Sequence, residues 1–161
     1  MRLIKFCFEP LFGLHVEKGN AEEVKLFYAE QFKKNNFAPV EIDLPGISEH
    51  DIYTLRDKTG KILAACAIWN QQSVKQYIVT GYSGVYRFLK YVPLKLLGYP
   101  NLPVENTAAN YASIVLLLAR NNQPKWAQHL ISHIASEAGR YDFPMAEVFE
   151  NHPLKVAFQQ F

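Results

Sequence analysis

Cysteine is scarce in this chain. The two present, Cys7 and Cys66, lie far apart, and Cys66 sits inside an apolar run. That spacing offers neither a dense disulfide framework nor a Cys-x-x-Cys pair, and it favours a reduced, cytoplasmic protein. An excess of one charge is also lacking. Seventeen basic against fifteen acidic residues leave a net charge of +2. The bases are scattered rather than gathered, so no nucleic-acid partner is expected. No uninterrupted apolar run approaches the roughly 20 residues of a membrane span, so no membrane partner is expected either. The opening MRLIKFCFEPLFGLHV carries early positive charge. Glu9 and Pro10 interrupt its apolar run and no small-residue cleavage site follows, which argues against a signal peptide. A Walker loop, a Ser-His-Asp elbow, internal repeats and low-complexity segments are all missing.

What is present suits one globular domain spanning 1–161, with 1–19 as a peripheral segment. Hydrophobic residues make up 49% of the 161 and charged residues 20%, enough to bury a core. Residues 51–82 read as a meander of three short strands. Ile52–Arg56 leads into Asp57-Lys58-Thr59-Gly60, a turn with Gly where a left-handed residue is wanted. A second strand covers 61–69, and after Asn70-Gln71-Gln72 a third covers 73–80. In the second, Ile62, Ala64, Cys66 and Ile68 point one way and Leu63, Ala65, Ala67 and Trp69 the other. Neither face is polar, so both are expected to be covered. Antiparallel strands covered on both faces imply a three-layer α/β (α+β) domain.

The flanking sequence supplies the layers. Residues 3–8 suit an opening strand and 37–44 a short strand or extended link. Asn20 caps a helix, with Glu23 completing a capping-box pattern and Val24, Phe27, Tyr28 and Phe32 at helical spacing. Residues 47–50 suggest a further turn of helix. Val85, Phe88, Leu89 and Val92 form a stripe on a basic amphipathic helix that ends near Gly98. Packing on the sheet, with a solvated basic side, is expected over lying on a membrane. Residues 99–106 form a loop. Tyr111–Ala119 is the most hydrophobic run and reads as a central buried strand. Arg120-Asn121-Asn122-Gln123 breaks it. Pro124 then opens a helix buried through Trp126, Ala127, Leu130, Ile131, Ile134 and Ala138. A strand over 143–149 and a helix over 154–160 complete the order. The chain stops at Phe161 in apolar sequence, as a fragment or one half of a longer polypeptide would.

Three constellations bear on chemistry. His129 and His133 have zinc-helix spacing, but Leu130 stands where a metalloprotease has Glu and no third ligand is evident. Solvated surface is the expected place for both, with no metal. Trp69, Gln71, Gln72, Lys75, Gln76 and Tyr82 are the densest polar–aromatic group, suited to lining a substrate cleft; turn chemistry and a solvent-facing edge are the alternative. Glu147 and Glu150 precede the last helix, where a carboxylate can act as general base on an amine; plain surface carboxylates are the alternative. Cys66 is expected to be inert, because burial disfavours its thiolate.

The order of helix, strand meander, helical insert, buried strand, polar turn, helix, strand and helix resembles the GNAT superfamily of N-acetyltransferases, from about residue 20 to 161. The segment AACAIWNQQSVKQYIVTGYSG, with the later YPNLP, is similar to the C-terminal GNAT-like half of bacterial tandem acetyltransferase-like proteins, which implies a missing neighbouring domain. The resemblance implies a mixed, mostly antiparallel sheet flanked by helices. It implies transfer of an acetyl group from acetyl-CoA to an amine, either a small molecule or a peptide. The pantetheine arm would lie along Leu116, Leu117 and Leu118, and the phosphates near Asn121, Asn122, Gln123 and Lys125, with Asn151 beside them. Gln123 and Lys125 stand at two positions where the family has small residues, and Phe158 stands where many members have the tyrosine that protonates the leaving thiolate. These departures keep a second expectation open: a non-catalytic GNAT-fold interaction or dimerisation domain, pairing with another domain or as a homodimer.

Overall fold

The computed structural model describes residues 13–32, 46–94, 102–137, 141–148 and 150–158. Among these residues five strands form one sheet, β1 (His15–Lys18), β2 (Ile52–Arg56), β3 (Ile62–Trp69), β4 (Tyr111–Ala119) and β5 (Phe143–Ala146), neighbours in that order. The first three pairings are antiparallel and β4–β5 is parallel. Among the described residues the α-helices are α1 (Ala21–Phe32), α2 (Tyr86–Leu89), α3 (Pro124–Glu137) and α4 (Lys155–Phe158). The result is a mixed, mostly antiparallel sheet flanked by helices, the α+β class expected.

Helix α1 starts where Asn20 predicts. Its Oδ1 accepts from the amides of Glu22 at 2.8 Å and Glu23 at 3.4 Å. The Glu23 carboxylate does not close the box; it accepts from Arg56 Nη2 at 2.6 Å and ties the helix to β2. Val24, Phe27 and Tyr28 bury against Ile52, Ile62, Ala65, Ala67 and Leu118 on one sheet face. Helix α3 opens at Pro124 and covers the other face with Ala127, Leu130, Ile131 and Ile134, joined by Leu154 and Ala157. Full burial of Leu130 and Ile134 contributes about 1.5–3 kcal/mol each. The sheet is therefore the middle of three layers.

Four expectations need correction. Residues 73–80 form no strand: Val74 and Lys75 amides both donate to Gln71 O in a turn, and only Ile78 bridges, to Ala108. The partner that β3 would have lent to them is β4, and the third antiparallel neighbour is instead β1. Alternation in β3 breaks at its start, because a register shift opposite Leu55/Arg56 sends Ile62 to the α1 face and Leu63 to the α3 face. The basic amphipathic helix shortens to Tyr86–Leu89 among the described residues, and its stripe is not packed on the sheet, with Phe88 72% exposed. Lastly, His129 is buried rather than solvated, at 9% exposure. The segments 3–8, 33–45, 95–101 and 138–140 lie outside the described residues, as do Phe149 and 159–161.

The Asp57 turn forms as expected. Asp57 Oδ1 accepts from the Thr59 amide and hydroxyl and from the Lys61 amide, and Gly60 takes φ +82°. Cys66 is fully buried, and burial pushes its thiol far above the ordinary range, in keeping with an inert role. Short segments of β strand and turn thus follow local chemistry closely.

Burial, with His133 one turn on, holds the His129 imidazole below its ordinary value. The unfolded chain then takes up a proton more readily than the folded one, so stability falls as the pH drops below about 6.5. Urea midpoints measured between pH 7.5 and 5 should fall less for His129→Gln than for the wild type. Equal falls in both would exclude His129 as a source of acid sensitivity.

Candidate functional site

Strands β4 and β5 share only a short parallel ladder. It runs from Tyr111↔Phe143 to Ile114↔Ala146 and stops there. β4 continues to Ala119, while β5 ends at Ala146. Just past the ladder, β4 carries a bulge: Ala67 faces Val115 and Ala65 faces Leu118, so Leu116 and Leu117 oppose Cys66 alone. Leu116 takes φ +56°, left-handed and without glycine. Such a bulge bends a strand and increases its twist, and here it begins directly after the last residue of β4 paired with β5. The carbonyl of Leu116 is held by the hydroxyl of Tyr28 from α1.

The gap is a cleft of about 440 Å³. Its floor is Ser113–Leu118, one wall is Tyr28 and Phe32, and the other is Ala146–Val148 with His152 and Phe158; Gln71 stands at one end. The lining is mostly apolar, with Gln71, Ser113, Glu147 and His152 as its polar groups. Backbone groups of β4 beyond Ile114 receive no partner from β5, so an extended ligand can lie against them as a strand does. His152 is half-buried, and its Nδ1 accepts from the Leu154 amide at 3.1 Å.

Expected cofactor residues divide into two groups. Leu116, Leu117 and Leu118 line the cleft. Asn121, Asn122, Gln123 and Lys125 occupy the crossover turn and do not line it. There Asn121 and Asn122 take φ +53° and +52°, conformations asparagine tolerates better than most residues. The Asn121 amide donates to Gln31 Oε1 at 3.1 Å, and the Gln123 amide to Arg120 O at 3.2 Å. Arg120 is committed to structure as well. Its Nε donates to Ile62 O at 2.9 Å, its Nη1 and Nη2 grip the Glu30 carboxylate at 2.7 and 3.1 Å, and its guanidinium stacks on Phe27. Lys125 is exposed, with its ammonium 4.3 Å from the Trp126 ring centre. Asn151 is exposed in the turn before α4.

Of the carboxylates, Glu147 reaches the cleft and Glu150 lies exposed outside its lining. Of the polar–aromatic group, Gln71 alone lines the cleft. Trp69 ends β3, partly exposed. Gln72 Nε2 donates to Asn110 Oδ1 at 2.8 Å, Gln76 Nε2 to Gln72 O at 3.4 Å, and Tyr82 OH to Pro103 O at 2.6 Å. The first and last of these bonds tie residues 72–82 to 103–110. Lys75 connects the two regions: a hydrogen bond with Tyr77 raises its pKa above the ordinary value, and the nearby Glu147 charge adds to that.

Sequence reasoning passed over Tyr28, Ser113 and His152 as site residues. Tyr28 reads as core by spacing, and a lone histidine before a proline carries no motif. Among the described residues no helix is long and apolar enough to cross a membrane, and no group of three or more His, Cys, Asp or Glu side chains gathers to hold a metal ion. No family model and none of the curated proteins compared matches the chain.

The Tyr28 hydroxyl pins the bulge, so Tyr28→Phe should lower unfolding free energy by about 1 kcal/mol. Denaturant titration of the two proteins checks this; an unchanged midpoint would mean that the bulge holds without it.

Proposed function

We propose that this chain is a GNAT-like N-acyltransferase domain that moves an acetyl group from acetyl-CoA to an amine. The observation carrying this reading is the parting of two parallel strands at a bulge, which leaves a strand edge, an apolar cleft and a carboxylate side by side. The pantetheine arm would pair with β4 at Leu116–Leu118, and the amine, on a small molecule or a peptide, would enter from the Gln71 and Glu147 end. The amine nitrogen attacks the thioester carbon, the C–S bond breaks, and the ammonium proton passes to Glu147, directly or through water. The thiolate takes a proton in turn, from solvent, since Phe158 has none to give. Lys125 is the cation at the turn for the phosphates; the bonded amides of Asn121 and Gln123 leave little of a backbone cradle. A reduced, cytoplasmic setting suits the buried thiol of Cys66.

A second reading is favoured by the segment 70–110. Val74, Val85, Phe88, Tyr91 and Val104 are all exposed there, Tyr91 at 80%. Apolar surface of this kind suits contact with a neighbouring domain or a second copy. In that reading the domain is non-catalytic and the cleft is a remnant.

Acetyl-CoA at a hundred times its dissociation constant should add about 2.7 kcal/mol of stability. A thermal melt with millimolar acetyl-CoA and CoA is therefore the deciding measurement. An unmoved melting temperature removes the acyltransferase reading. If sedimentation at the same time shows a dimer that Phe88→Asp dissociates, the second reading stands in its place.

A further inference from the structure

We propose that His152 presents a fixed imidazole N–H to the cleft and polarises the carbonyl oxygen of the bound thioester. This rests on the acyl-transfer reading above. The ring lines the cleft together with Ser113–Leu118 and Glu147. Its Nδ1 accepts from the Leu154 amide at 3.1 Å. A backbone amide can only donate, so Nδ1 keeps its lone pair and the ring proton sits on Nε2. Protonating Nδ1 would set one N–H against another and break this bond.

The surroundings hold the ring in place. Leu154, whose amide makes the bond, is fully buried under α3. Pro153 restricts the backbone of His152 to extended geometry and fixes its own φ. The donor is therefore set before any ligand arrives, which is the condition for useful stabilisation of developing charge. Apolar neighbours such as Val148, Leu117 and Phe158 strengthen an N–H···O interaction relative to water.

The same bond decides between two roles. With Nδ1 occupied and Nε2 protonated, neither nitrogen offers a lone pair to an incoming amine, so His152 is not the base. Glu147 is left for that task. As the amine adds, the carbonyl π pair moves to oxygen and His152 Nε2–H hydrogen-bonds the oxyanion. As the tetrahedral species collapses, the pair returns, the C–S bond breaks and its electrons leave on sulfur. His152 gains and loses no proton, a use of neutral imidazole known from other enzyme chemistry.

The test needs no knowledge of the acceptor amine. Binding of acetyl-CoA and of CoA to the whole chain is measured by calorimetry for the wild type, His152→Ala and His152→Gln. The wild type should prefer acetyl-CoA by roughly two- to tenfold, the worth of one hydrogen bond. His152→Ala should lose that preference, and His152→Gln, which keeps an N–H donor, should retain part of it. Nitrogen-15 spectra of the wild-type imidazole should show the Nε2–H form with and without ligand, and acetyl-CoA, but not CoA, should move its Nε2 signal. Equal affinity for both ligands, an undiminished preference in His152→Ala, or a ring protonated on Nδ1 overturns the role of His152 while the cleft reading stands. Failure of both ligands to bind the wild type overturns the cleft reading and this inference with it.

Discussion

The hydrogen bond from Tyr28 to Leu116 O is the contact on which the cleft depends. It joins α1, on one face of the sheet, to the single point where β4 leaves its regular path. A leucine at φ +56° costs on the order of 1–2 kcal/mol in backbone energy. The bulge persists because its neighbours fix it from two sides: the register of β3 around Cys66, and the phenol above. Burial raises the Tyr28 hydroxyl well above its ordinary pKa, so it stays a donor across the working range.

The three-layer packing follows from the same region. α1 and α3 press on opposite faces of β3 and β4, and Arg120 sits where they meet the sheet. Its guanidinium spans a β3 carbonyl, the Glu30 carboxylate and the Phe27 ring. An arginine used in this way stabilises the corner between β4 and α3 and is lost to ligand binding. The turn that would face phosphate is therefore built more for support than for capture, and the Lys125 ammonium beyond it lies over the Trp126 ring.

Much of the architecture is legible from residues whose meaning is local. Asn20, Asp57, Gly60 and Pro124 act through bonds to atoms within a few positions, and each does what its type predicts. Tyr111–Ala119 is legible because an apolar run of that length has few places to go. The remainder depends on distant partners. His15–Lys18 is polar at an exposed edge and shows no alternation, yet it pairs with β2. Residues 73–80 carry strand-forming Val, Tyr and Ile, but β3 takes β4 as its neighbour, and within this run only Ile78 bridges, to Ala108. Within the cleft, Glu147 could be picked out by its place at a strand end, and Leu116–Leu118 only through the family resemblance. His152 could not, since its place in the cleft comes from the Leu154 amide and from walls contributed by β4.

Segment 70–110 is laced shut at its root. Gln72 bonds Asn110, Tyr111 OH bonds Lys75 O, and the Ala109 amide bonds Tyr77 O. Among the described residues distal to that lacing, Tyr82 OH bonds Pro103 O and Lys90 pairs with Glu105, contacts made within the segment. A chain organised in this way can exchange its outer residues without disturbing the cleft floor, so the two parts are free to change at different rates.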